Sequence, residues 1–189
     1  MLLFRYTIRM ELITPRLKIR EFRADDLEAL LEMDMTPLVQ QYEPGELTEA
    51  DIRYRLEGAL EWAAENPRKI YKLVITVPPE DRLCGRLTLK FNPAGDDEWM
   101  IGWSLHPAHW GNGYATEGAR AALRYAFRQL NAHRVTAYCH ADNAASRRVM
   151  DRLGMQCEGR LRERILLHGR RYDELVYGIL AGEFQAEQR

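Results

Sequence analysis

The order of apolar periodicities along the 189 residues predicts one α/β (α+β) domain: a mixed sheet, mostly antiparallel with one central parallel pair, and helices on both faces. Three observations predict it. Residues 71–77, 83–91 and 99–105 are strand-like runs joined by the short turn sequences Pro78-Pro79-Glu80-Asp81 and 92–97, which is the pattern of an antiparallel meander. A helical pattern then runs to about Leu130 and is followed by another strand, 135–139. A strand–helix–strand unit within one sheet makes 99–105 and 135–139 parallel, with a right-handed crossover. Finally, no repeat, linker or low-complexity tract interrupts a chain whose length suits a single core (1–189).

In chain order, residues 12–22 alternate Ile13, Leu17 and Ile19 against Arg16, Lys18 and Arg20, and read as one half-buried strand. Asp25 offers an N-cap with Glu28 three residues on, and the stripe of Leu27, Leu30 and Leu31 carries a helix to about Met35. Residues 37–45 read as a loop. Thr48 and Asp51 form a second capping pattern ahead of Ile52, Leu56, Ala59, Leu60 and Ala63 on one helical face, and Asn66-Pro67 ends that helix. After the meander, the helix following Gly113 turns Ala119, Leu123, Ala126 or Phe127, and Leu130 inward. Its other face carries Arg120, Arg124 and Arg128, a solvated stripe. A shorter helix over 144–153 buries Val149, Met150 and Leu153, with Gly154 placed to cap its end. Two strands, 158–167 and 172–180, close the domain around His168-Gly169. Residues 183–189 read as a polar tail and 1–10 as an N-terminal extension, with Met10 an alternative start to Met1.

Composition removes several functions. A formal net charge of −1 gives no global attraction to nucleic acid or an anionic membrane. No apolar run reaches the length of a membrane span, and Arg5 and Arg9 interrupt the first ten residues too early for a secretory signal. Cys84, Cys139 and Cys157 show no CxxC spacing, which points to a reducing, cytoplasmic setting. His106 and His109 lack further ligands, so no metal is expected.

The stretch His109-Trp110-Gly111-Asn112-Gly113-Tyr114-Ala115-Thr116 links a strand to a helix through glycines. Such a turn lets the backbone approach a ligand closely, and the unpaired N–H groups of the first helical turn then favour an anion. Residues 110–116 are therefore a pyrophosphate site or a simple connection. No Lys-Ser/Thr follows the glycines, so this is no nucleotide-triphosphate loop. The third glycine of the dinucleotide fold is also missing.

Trp110-Gly111-Asn112-Gly113-Tyr114-Ala115-Thr116-Glu117 resembles the acetyl-CoA-binding loop of the GCN5-related N-acetyltransferases, nearest the branch of ribosomal-protein N-terminal (RimJ/RimL-type) enzymes. The opening Glu11-Leu12-Ile13-Thr14-Pro15-Arg16-Leu17 resembles that branch's first strand. Asp142-Asn143-Ala144-Ala145-Ser146, Leu153-Gly154-Met155, Glu158-Gly159 and Gly169-Arg170-Arg171-Tyr172-Asp173 resemble its later segments. The resemblance implies a sheet splayed between 99–105 and 135–139. Pantetheine would lie in the wedge along the backbone of Trp103, Ser104 and Leu105, and the pyrophosphate on the N–H groups of about Gly111 to Ala115. It implies acetyl-CoA as co-substrate, no metal, an amine acceptor (a peptide or protein N-terminus, or a small molecule) and a monomer or homodimer.

Acetyl transfer to an amine needs a base, because an ammonium has no lone pair. It also needs a donor for the carbonyl oxygen and a proton for the leaving thiolate. Ser146 is the thiolate partner or a first-turn serine satisfying a backbone donor. Asn143 hydrogen-bonds the pantetheine arm, caps the same helix, or does both. Arg147 or Arg148 reaches a cofactor phosphate or is solvated. Glu163 is the first choice of base, against a surface ion pair with Arg162, Arg164 or Arg171; Glu98 is the second. Some relatives carry a Glu at the position of Tyr138 and a Tyr at that of Met150, a pair this chain lacks. A tyrosine is a poor base near neutral pH. Glu117 reads as a structural complement to the helix dipole. Tyr42 and Glu43 are candidates to line an acceptor cleft. A coenzyme A-binding module without turnover is the competing reading.

Overall fold

The computed structural model describes residues 10–42 and 47–184. The extension before Met10, Glu43 and most of the polar tail lie outside them. Eight strands form one sheet in the order β1-β2-β3-β4-β5-β6-β8-β7. In chain order these are β1 (Glu11–Ile13), β2 (Lys18–Glu21), β3 (Ile70–Thr76), β4 (Leu83–Asn92), β5 (Glu98–Leu105), β6 (Arg134–His140), β7 (Gln156–Leu167) and β8 (Arg170–Leu180). Helices α1 (Leu27–Asp34), α2 (Pro37–Gln40) and α3 (Glu49–Trp62) precede β3; α4 (Tyr114–Gln129) follows β5 and α5 (Ala144–Leu153) follows β6. The meander β3-β4-β5 is antiparallel throughout, and β5-β6 is the parallel pair.

Strand alternation sends successive side chains to opposite faces. Leu73 and Ile75 join Ala119, Leu123 and Ala126 of α4 and Met150 and Leu153 of α5 in the larger core. Val74 joins Leu30, Met33, Ile52 and Leu56 of α1 and α3 in the second. The sheet is thus covered by α4 and α5 on one side and α1–α3 on the other.

Capping chemistry fixes several boundaries. Thr48 and Asp51 make the anticipated reciprocal box at the start of α3. Gly154 ends α5 at φ +81°, a conformation that suits glycine. His168 and Gly169, both at positive φ, join β7 to β8 as a two-residue hairpin loop.

Four expectations need correction. Residues 12–22 are not one strand but the hairpin β1–β2, because Thr14 N–H reaches back to the Leu17 carbonyl (2.9 Å) and turns the chain; Ile13 is exposed as a result. The N-terminal carboxylate of the α1 region is Asp26, not Asp25. A 3-10 turn (Ala24–Asp26) comes first, and Asp26 takes the Arg23 N–H at 2.7 Å and pairs with buried Arg20 at 2.8 Å. Pro37 starts the one-turn helix α2 rather than a loop, since at the first helical position its missing N–H costs nothing. Helix α3 ends at Trp62, before Asn66-Pro67, and Leu60 is exposed.

Candidate active site

Strands β5 and β6 pair only at Glu98↔Arg134, Trp99↔Val135 and Met100↔Thr136, and then separate. His106 N–H donates to the Cys84 carbonyl (2.9 Å), so by alternation Ser104 and Gly102 bond to β4, while Ile101, Trp103 and Leu105 turn their backbone groups into the opening. The same alternation, set by Ala141 N–H on the Asp173 carbonyl (2.9 Å), turns the backbone of Tyr138 and His140 toward β5. A cleft of about 700 Å³ occupies this split.

One mouth of the cleft opens beside α4 and α5. Gly111 and Gly113 stand at φ +78° and +79°, and a Cβ on Gly111 would point into open space. Trp110 anchors the turn by donating its indole N–H to the Leu105 carbonyl (2.8 Å) and its backbone N–H to Pro107 (3.1 Å). Beyond that, the backbone N–H groups of Gly111 through Thr116 donate to no protein acceptor among the described residues; the first amide bonded within the turn is that of Glu117, to Gly113 (3.0 Å). Six donors at the positive end of a 16-residue helix suit a diphosphate.

This turn is held from a distance. Glu117 accepts hydrogen bonds from Thr14 Oγ1 (2.7 Å), Arg16 N (3.0 Å) and Arg16 Nε (2.7 Å), while Arg16 Nη1 reaches the Asn112 carbonyl (2.9 Å) and its guanidinium lies over the Tyr114 ring. Burial alone would raise the Glu117 carboxyl, but these bonds and the guanidinium bring it below the usual range. Glu117 is the structural complement anticipated, with a larger role: it ties the β1–β2 turn to the glycine turn. Arg16 escaped sequence reasoning because its partner lies 101 residues away.

Trp103, Ser104, Leu105, Trp110, Gly111, Gly113, Tyr114, Ala115, Thr116, Asn143, Ser146 and Arg148 all line the cleft. Asn112 stays at its edge, its side chain donating to the His109 and Trp110 carbonyls. Asn143 caps α5, its Oδ1 accepting the Ser146 N–H at 3.0 Å. Ser146 is therefore the capped residue rather than the cap, and it lines the cleft.

The two carboxylates chosen as bases are elsewhere. Glu98 sits at the closed end of the split, held by Asn92 Nδ2 (2.7 Å), Thr136 Oγ1 (3.2 Å) and Arg134 Nε (3.2 Å). Glu163 lies outside the cleft lining. Between the pairs Leu161↔Glu174 and Ile165↔Tyr172, β7 has three residues where β8 has one. The excess bulges out, Glu163 adopts φ +54°, and Asp173 Oδ1 holds its N–H at 2.8 Å. Met150 is fully buried, whereas Tyr138 lines the cleft.

The second mouth opens on the α1–α3 side. His140 and Glu174 are directly opposed on β6 and β8, which puts both side chains on one face. The His140 ring packs against Tyr42 (5.4 Å) and Tyr172 (4.5 Å). Its Nδ1 accepts the Asp142 N–H at 3.0 Å. Glu174 is half-buried, and that burial raises its carboxyl above the ordinary range against the pull of Arg164. Sequence reasoning missed Glu174, because nothing local distinguishes it from other strand carboxylates.

The comparisons agree with this geometry. Residues 16–156 match the acetyltransferase (GNAT) domain family. The chain is 34% identical over 176 residues to the uncharacterized N-acetyltransferase YnaD of Bacillus subtilis (strain 168), covering 93% of this chain and 99% of that protein. A GNAT-family acetyltransferase from Bacillus anthracis superposes with a TM-score of 0.81 at 32% identity, over 92% of this chain and 100% of the other. RimJ of Mycobacterium smegmatis, solved with CoA-disulfide, shares the fold with a TM-score of 0.79 at 22% identity, over 93% and 88% of the two chains. With a split parallel pair, a glycine turn of unpaired amides and these relatives, the chain belongs to the GNAT acetyltransferase family and is an acetyl-CoA-dependent acetyltransferase.

Proposed function

We propose that the chain moves an acetyl group from acetyl-CoA to a primary amine by direct attack within a ternary complex, and that the acceptor is the α-amine of a protein N-terminus. The observation that carries the transfer is the row of unpaired amides from Gly111 to Thr116 at one mouth of a cleft that runs through the sheet. Acetyl-CoA supplies an activated acetyl thioester when bound. The chain's own groups do the remaining work. The amides of 111–116, with Arg148, hold the diphosphate. The backbone of Trp103 and the Leu105 N–H offer the pantetheine arm the partners of an added strand. An N–H from that strand stabilises developing charge on the carbonyl oxygen, a contribution of about 3–4 kcal/mol for one well-placed donor. The Ser146 hydroxyl supplies a proton to the departing sulfur. Holding both reactants in one cleft replaces a chance collision with an oriented contact.

The preference for an α-amine rests on the resemblance of the opening and closing segments to the ribosomal-protein N-terminal branch. A thiol-release assay with acetyl-CoA and a panel of peptides with free N-termini, polyamines and aminoglycosides tests it. Turnover of the peptides is expected. Product only with polyamines or aminoglycosides would move the acceptor to small molecules. Normal coenzyme A binding with no thiol release on any amine would leave a binding module.

A further inference from the structure

We propose that Glu174 is the residue that takes the proton from the acceptor ammonium, in a subsite lined by Tyr42 and His140. This rests on the acetyl-transfer reading above and adds to it the base that the sequence left open.

The cleft itself narrows the choice. Among the described residues its lining contains two carboxylates, Glu174 and Asp142. The Asp142 side chain is 81% exposed at the rim, 3.8 Å from His140 Nδ1. A carboxylate so open to water stands outside the enclosed part of the cleft, where the acceptor nitrogen must meet the thioester. His140 packs against two aromatic rings, and its Nδ1 lone pair is committed to the Asp142 N–H. That bond assigns the ring proton to Nε2 and occupies the lone pair a base would use. Tyr138, 41% exposed in the same lining, carries a phenol, a group that makes a poor proton acceptor. Glu174 remains: half-buried and directly opposite His140.

Topology supports the same assignment. Glu174 shares a face with His140, on the α1–α3 side, whereas Trp103 and Leu105 pack with the α4 core, on the side of the glycine turn. An acceptor entering from the first side meets Glu174 while the diphosphate is gripped at the other mouth. The two reactants then approach through the split without competing for one entrance.

The transfer balances as follows. One proton of the ammonium passes to a Glu174 carboxylate oxygen, freeing the nitrogen lone pair. That pair forms the N–C bond to the acetyl carbon as the C–S bond breaks and its electrons leave on sulfur. A second nitrogen proton reaches the sulfur through the Ser146 hydroxyl, and Glu174 returns its proton to solvent. Ammonium and acetyl-CoA give the amide, the free thiol and one proton.

The test is Glu174→Gln in the full chain. We expect kcat to fall by about 10²–10³-fold, in the range of a lost general base, with coenzyme A affinity by calorimetry within threefold of wild type. The pH profile should lose its acidic limb, because the carboxylate form does the work. The other titratable or charged groups on this side are His140 and Tyr138 of β6, Tyr172 of β8, Arg164 of β7, Arg86 of β4 and Tyr42 after α2. A readout independent of turnover is the ¹³C titration of labelled glutamates in the wild type. The resonance missing from Glu174→Gln should titrate above the ordinary glutamate range, and this measurement decides if the variant fails to fold. Turnover within threefold of wild type, an equal loss in Glu163→Gln, or a Glu174 resonance in the ordinary range would overturn the assignment. Wild-type protein that releases no thiol with any amine defeats the acetyl-transfer reading itself, whereas an unimpaired Glu174→Gln beside active wild type defeats only the role of Glu174.

Discussion

The two ends of the β5–β6 pair are built on opposite principles. At the closed end, three residue pairs zip the strands together and every carboxylate oxygen has a partner: Asn92, Thr136 and Arg134 all bind Glu98, and Arg134 continues to Glu158. At the open end the backbone of Trp103 faces the cleft, six amides of the glycine turn have no protein acceptor among the described residues, and Glu174 stands half-buried. Unmade hydrogen bonds in a folded protein are costly unless water or a ligand completes them. The difference teaches that a carboxylate's usefulness here depends on how few partners the fold has already given it, not on its nearness to the central strands.

Substitutions at the two ends sharpen that contrast, beginning with the strongest. Gly113→Val places a β-branched side chain at φ +79°, with its Cβ 3.5 Å from Arg16 Nη2. The backbone strain, of order 1–3 kcal/mol, and the blocked cradle should weaken coenzyme A binding by more than about 100-fold. Calorimetry on protein shown folded by circular dichroism checks this, and normal affinity would remove the loop assignment. Ser146→Ala should lower kcat by about 10–100-fold while the Kd for coenzyme A stays within threefold; unchanged turnover would leave Ser146 with no part in the proton transfer. Glu98→Gln, at the closed end, should lower stability to urea by about 1–2 kcal/mol, the value of an impaired partly buried charged hydrogen bond, before it affects turnover. A large kcat loss at full stability would mean the closed end is part of the chemistry after all.

The smallest effect concerns Glu117. Its carboxyl lies below the usual range in the folded protein, so its ionised form adds stability that is complete above the unfolded glutamate value, about 4.3, and disappears as pH falls through the lower folded value. Wild type should therefore lose its advantage over Glu117→Gln in acid melts below that pH. An advantage independent of pH would deny the clamp its ionic component.

Local chemistry was legible in the sequence and long-range pairing was not. Helix α5 has the anticipated ends because Asn143 and Gly154 are punctuation read from neighbouring residues alone. The meander and the parallel crossover follow from period and spacing in the same way. The β1–β2 hairpin was hidden because alternation continues across its turn, and α2 because Pro37 signals a break everywhere except at a helix start. In the site, the glycine turn announced itself, since two glycines at positive φ are required there. The base did not. Whether Glu163, Glu98 or Glu174 faces the cleft depends on a bulge in β7, on an ion pair across β5–β6 and on register between β6 and β8, none of which leaves a mark in one strand's own residues.

The bridge from Thr14 and Arg16 to Glu117 and Asn112 joins segments about a hundred positions apart. Closing so long a loop costs chain entropy that the strands paired between its ends must offset. The cofactor grip is consequently a property of the finished fold. Coenzyme A therefore recognises the folded chain, and its concentration stabilises that state over the unfolded one by mass action.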